Sequence, residues 1–115
     1  MHFQIASLLT GIDFKLSANT VHHLDEINTN NNPNNLIVIR NSDHTKLHTF
    51  LERYKKSYTG NNWEVERILK TKQFLKVFDL EVIWLEEKFL RASVAVKSMI
   101  KSMIVTNLMQ QKTKE

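Results

Sequence analysis

The sequence predicts an α+β fold: a short two-stranded ribbon, a helix directly after it, and a helical C-terminal extension. Three features point there. Residues 25–35, DEINTNNNPNN, are loop chemistry between two stretches that favour extended backbone. Leu47, Leu51, Tyr54 and Tyr58 recur at helical spacing just beyond the second stretch. From Trp63 to Gln111 the chain contains neither glycine nor proline, the residues that most often end a helix.

The elements follow in order. Residues 3–9 (FQIASLL) suit a short helix stopped at Thr10-Gly11. From Ile12 to Leu24 the pattern loosens toward extended structure, with β-branched Thr20 and Val21 leading into two histidines. Pro33 ends any helix in the asparagine-rich loop, and Leu36-Ile37-Val38-Ile39 then reads as a short buried strand. Residues 20–24 and 36–40 are expected to pair antiparallel across that loop. A helix starts at once: Asn41 or Ser42 suits the N-cap, Asp43 the first turn, and Gly60 lies beyond the end. Its Leu47, Leu51, Tyr54 and Tyr58 are expected to face the ribbon.

Beyond Trp63, Leu75, Phe78, Val82, Leu85, Phe89, Ala92, Val96, Met99 and Met103 keep 3-4 spacing. Ile83, Leu90, Val94, Ile104 and Leu108 widen that stripe. The pattern fits a helix, broken once, that folds back on its own domain. It fits equally a homodimerisation arm within residues 63–111, since a straight helix over 75–111 would extend roughly 55 Å. The β-branched and aromatic Val82-Ile83-Trp84 leaves a strand open there, and residues 112–115 are expected to fray. The chain thus divides into residues 1–60 and a helical extension, 61–115.

Composition narrows the function classes. A hydrophobic content of 42% with two glycines and one proline argues for a folded, helix-rich protein. The absence of cysteine excludes disulfides, thiolate zinc sites and thiol catalysis, and fits a cytoplasmic setting. Lys97 and Lys101 interrupt the most apolar region, so no membrane span is expected. The N-terminal MHFQIASLLTGIDF lacks a basic leader, so it is not expected to be a signal peptide. Residues 1–45 carry two basic and four acidic side chains, a net −2, leaving +6 of the overall +4 on residues 46–115. Such an excess suits a polyanionic partner such as nucleic acid, and equally suits mere solubility.

Four of the five histidines lie between Val21 and His48. Positions i and i+4 share a helix face, so His44 and His48 can present two imidazoles to one ion. A ribbon that brings His22 beside that face adds a third nitrogen. Neighbours in a strand point to opposite sides, so one of His22 and His23 can bind the ion while the other stays free to take a proton from water. An ion polarising a phosphoryl oxygen beside an imidazole base suits phosphodiester hydrolysis.

These residues resemble the HNH, or ββα-metal (His-Me finger), endonuclease motif in its short phage and bacterial form. Val21-His22-His23-Leu24-Asp25, Asn31-Asn32-Pro33-Asn34-Asn35-Leu36 and Asp43-His44 through Leu47-His48 fill the pattern in order. The resemblance covers about residues 18–56. It implies that His22, His44 and His48 are metal ligands and His23 the general base. It likewise implies that Asn35 holds the loop and the base by hydrogen bonds. The cofactor implied is one divalent ion, Mg2+, Mn2+, Ni2+ or Zn2+, and the partner implied is DNA, nicked or cut through both strands. An inactive nucleic-acid-binding protein on this scaffold and an RNA-cleaving nuclease are the alternatives. The chain departs from the usual Asp-Gly-Asn after the histidine pair, having Asp25-Glu26-Ile27-Asn28.

Arg40, Lys46, Arg53, Lys55 and Lys56 are candidates for phosphate contact, Arg40 foremost because a guanidinium binds phosphate in a bidentate manner. Lys55 and Lys56 also suit the helix C-terminus on electrostatic grounds. Asp25 reads as a turn former, and His2 has no assigned role.

Overall fold

The computed structural model describes residues 1–114, with side chains through Gln110. The chain runs α1 (His2–Thr10), β1 (Asn19–His23), a 3₁₀ turn (Pro33–Asn35), β2 (Leu36–Arg40), α2 (Asn41–Ser57), α3 (Trp63–Val77), β3 (Val82–Trp84), α4 (Leu85–Arg91) and α5 (Val94–Lys114). The α+β expectation holds at the level of a three-stranded antiparallel sheet with five α-helices among the described residues. Helix α1 stops where Gly11 takes a left-handed φ of 75° and donates its N–H to the Ser7 carbonyl at 2.8 Å.

The expected ribbon forms, with Val21 opposite Val38 and His23 opposite Leu36. β2 is its centre, because β3 adds on the other side with Val38 opposite Ile83. That position explains the unbroken apolar run Leu36–Ile39, all buried: a strand flanked on both edges and covered on both faces has no polar side to show.

Alternation along the strands divides the protein into layers. Val21, Leu36 and Val38 face one core with Ile5 and Ala6 of α1, Leu85 of α4 and Ile100 of α5. Ile37 and Ile39 face the other, with Leu47 and Leu51 of α2 and Phe74 and Leu75 of α3. Each core draws on residues from both sides of residue 60, with Phe74 and Leu75 in one and Leu85 and Ile100 in the other, so the elements beyond residue 60 share these cores.

The long C-terminal helix is corrected by the structure. It breaks at Asp79, which takes a left-handed φ of 49°. There Leu80 N–H bonds to Leu75 O and Asp79 N–H to Lys76 O, a Schellman stop built without glycine. A second break lies before α5, where the Ser93 hydroxyl accepts from Val96 N–H at 3.2 Å as an N-cap. The 3-4 spacing is real but shared out. Leu75 enters the second core and Leu85 the first, Phe89, Val96 and Met103 pack against the first, and Phe78 and Met99 are exposed. The whole molecule spans 43 Å in its longest dimension, so the 55 Å arm does not exist, and most of the seam that suggested it is used within the chain. Val94, Val105 and Leu108 remain exposed on α5.

Two local expectations also change. Helix α2 begins at Asn41 with Arg40 as N-cap, and no side chain caps it. Tyr54 and Tyr58 face α3 rather than the ribbon: Tyr54 stacks on Trp63 at 6.1 Å and its hydroxyl donates to Glu66. The backbone of α5 continues to Lys114, against the expected fraying, and Glu115 lies outside the described residues. Among the described residues no helix is long and apolar enough to cross a membrane.

Candidate metal centre

His22 lies on the β1 face that packs against α2, because its register partner is Ile37 of the second core. Helix α2 starts directly after β2 at the Arg40 end of the ribbon, and His44 and His48 of its first turns reach His22. The result is a cluster of three imidazoles. His22 Nδ1 lies 3.2 Å from His44 Nε2, and His48 Nε2 lies 2.9 Å from the same atom. One nitrogen from each ring falls within 4.8 Å of the others. Ligands about 2.1 Å from an ion sit about 3.0 Å apart in an octahedron and about 3.4 Å apart in a tetrahedron. The cluster therefore fits one divalent cation with small ring adjustments, and its imidazole donors leave the identity of that ion open.

The electrostatics favour the neutral form of His22 and His44, as ligation requires. Burial and then the neighbouring His44 and His48 push the His22 imidazole down to about 3. Burial, with His48 beside it, also lowers that of His44. His22 Nε2 is sealed from solvent without a hydrogen-bond partner, and an imidazolium there would leave a charged N–H unsatisfied. A folded-state value depressed below the ordinary 6.5 means that the unfolded chain takes up the proton first. The protein in chelator is thus at full strength from this source above pH 6.5 and loses stability as pH falls toward 3. The expected loss is on the order of a few kcal/mol, read as a lower urea midpoint at pH 5 than at pH 7. Equal midpoints would refute it.

His23 faces the other side, toward α1, yet both histidines line one cleft of about 140 Å³ with His44 and His48. β1 is an edge strand, so side chains from its two faces can border one cleft. His23 Nε2 lies 3.2 Å from the Asn31 amide oxygen. That oxygen can only accept, so Nε2 carries the ring proton and Nδ1 the lone pair. Among the described residues Nδ1 has no hydrogen-bond partner, and it is not sealed from solvent. The His2 ring packs edge-on to His23 at 4.9 Å and braces it from α1.

Asn35 holds the loop but not the base. Its Nδ2 donates to Asp25 Oδ1 at 2.8 Å and to the Asn30 carbonyl at 3.0 Å, and its Oδ1 accepts from Asp25 N–H. Asn31, four positions earlier, takes the contact expected of it with His23. Asp25 is the loop former expected, also accepting from Asn30 Nδ2 and Ile27 N–H. Burial opposes ionisation of its carboxyl, but these hydrogen bonds and the nearby Arg67 charge win and hold it below its ordinary value.

The basic candidates separate. Arg40 stands four register positions from His23, about 13 Å along the ribbon, and is paired with Glu81 at 2.8 Å. The helical repeat puts Lys46, Arg53 and Lys56 on the outer side of α2, turned away from His44 and His48. Lys55 alone shares the histidine face, beside a second hollow of about 400 Å³ bordered by Glu26, His48 and Trp63.

Sequence reasoning missed Asn31, Glu26, Arg67 and His2. Asn31 sat inside a run of asparagines that composition alone could explain. Glu26 was visible only as a departure from the motif. Arg67 and His2 are distant in sequence, and no local signal marks them. No protein family, curated protein or solved structure matches this chain.

Proposed function

We propose that the protein is a metal-dependent endonuclease of the HNH (ββα-metal) kind that hydrolyses DNA phosphodiester bonds. The observation that carries this reading is the meeting of three imidazole nitrogens within 4.8 Å of one another, beside a separately oriented fourth imidazole. The order β1, asparagine-rich loop, β2, α2 around them supports it.

His22, His44 and His48 would hold the ion. Once bound there, a divalent cation supplies Lewis-acid stabilisation for charge developing on the phosphate and the leaving oxygen. His23 takes a proton from water at Nδ1 as the water oxygen bonds to phosphorus and the bridging P–O bond breaks. Asn31 fixes the tautomer that makes Nδ1 the base, and Asn35 with Asp25 fixes the loop carrying Asn31. Lys55, on the histidine face of α2, would meet a phosphate flanking the scissile one. The other four basic candidates, Arg40, Lys46, Arg53 and Lys56, are positioned only for contacts remote from the cleft.

A single site of this kind nicks, and cutting both strands would need a second protomer. The test is a supercoiled plasmid incubated with magnesium, manganese, nickel or zinc, against a chelator control, with a parallel RNA substrate. Open circles that appear only with an ion support the reading. Preferential RNA cleavage would reassign the substrate. No cleavage of either with any of the four ions would leave a binding protein on this scaffold.

A further inference from the structure

We propose that Glu26 and Arg67 form an outer layer of the histidine cluster, in which Arg67 holds Glu26 and Glu26 orients His48. The proposal rests on the metal-binding reading above and assigns positioning roles rather than ligation.

His48 is the ligand most in need of orientation. His22 is buried in a strand, whereas the His48 side chain is 41% exposed on a helix. Its Nε2 faces His44, which leaves Nδ1 on the far side of the ring. There Glu26 Oε1 lies 3.6 Å away. A ligating imidazole carries its proton on the nitrogen turned away from the ion, and a carboxylate beyond it selects that tautomer and raises ligand basicity. At 3.6 Å the contact is electrostatic rather than a formed hydrogen bond. Glu26 is not itself in the inner cluster, which among the described residues contains only the three histidines.

The other carboxylate oxygen of Glu26 lies 3.4 Å from Arg67 Nη1. The Arg67 side chain is 11% exposed and comes from α3, 41 positions along the chain. Its Nε is buried without a partner, so the guanidinium depends on Glu26 and the nearby Asp25 charge for compensation. A guanidinium stays charged at any working pH and is a rigid anchor for a carboxylate. Glu26 also keeps a side chain where glycine would be easier: its φ is 58°, in the left-handed region. A strained residue at a cleft wall points to a use for its side chain. These contacts make α3 a part of the site, although it lies outside residues 18–56.

The test is metal affinity, measured by calorimetry with nickel, and the visible spectrum with cobalt substituted. Glu26→Gln keeps the shape and removes the charge. It is expected to weaken nickel binding about 10- to 100-fold and to change the cobalt spectrum. Arg67→Met is expected to weaken binding in the same direction, Arg67→Lys less, and the double variant no more than Glu26→Gln alone. Urea midpoints in chelator check that each variant is folded, and the Arg67 pair carries the comparison if Glu26→Gln is not. Wild-type affinity in Glu26→Gln and unchanged affinity in Arg67→Met would overturn the proposal while leaving the three-histidine site standing. No nickel binding by the wild type would overturn both.

Discussion

His23→Ala is expected to bind divalent metal as the wild type does and to cleave DNA roughly 100- to 10,000-fold more slowly, the contribution of one positioned general base. The separation follows from strand geometry. His22 and His23 project from opposite faces of β1, so removing one imidazole leaves the other's contacts with α2 in place. What is lost is the lone pair at Nδ1, which Asn31 leaves exposed by engaging Nε2. His23→Ala is also expected to regain part of its rate with added imidazole, as a vacated base site allows. Single-turnover cleavage under saturating metal reads the chemical step. Activity within tenfold of the wild type would exclude His23 as the base, and lost metal affinity would mean that the two histidines are not independent.

The second large effect is expected at His44. Its Nε2 makes both short nitrogen–nitrogen approaches of the cluster, at 3.2 and 2.9 Å, so its removal leaves only His22 and His48, whose ring centroids are 5.3 Å apart. His44→Ala should weaken metal binding on the order of 100-fold or more, beyond the effect of an outer-layer change, and abolish metal-dependent cleavage. Stability in chelator should change little, because the ring is only half-buried and its loss relieves crowding among imidazoles. Calorimetry and urea titration of one sample separate these outcomes. Affinity within a few-fold of the wild type would rule out the three-histidine ligand set.

The site was legible because its key spacings are local. His44 and His48 are one helical turn apart, and His22 lies three residues before a loop, residues 25–35, whose composition demanded a turn. These relations need only periodicity and loop chemistry. The basic residues were poorly legible for the same reason inverted: charge is visible in sequence but direction is not. Arg40 read as the best phosphate contact, yet Glu81 reaches it from just before β3.

The fold of the C-terminal half was legible only in part, because its breaks beyond Trp63 carry neither glycine nor proline. Asp79 does the work of a stop glycine, and Ser93 is an N-cap within a stretch otherwise apolar and helical in pattern. Backbone propensity over Val82–Trp84 was a weak hint of a strand. It became a strand because the free edge of β2 offers unpaired backbone groups that need partners.

By itself the sequence determined the β1–loop–β2–α2 order and the grouping of His22, His44 and His48, because turns, strand alternation and helical repeat act over a few residues. Only the tertiary structure decided that Asn31 rather than Asn35 holds His23, that Glu26 and Arg67 stand behind His48, and that β3 and helices α3 to α5 help to build the two cores. Those outcomes depend on which faces are buried against one another, and burial is settled by the whole chain at once.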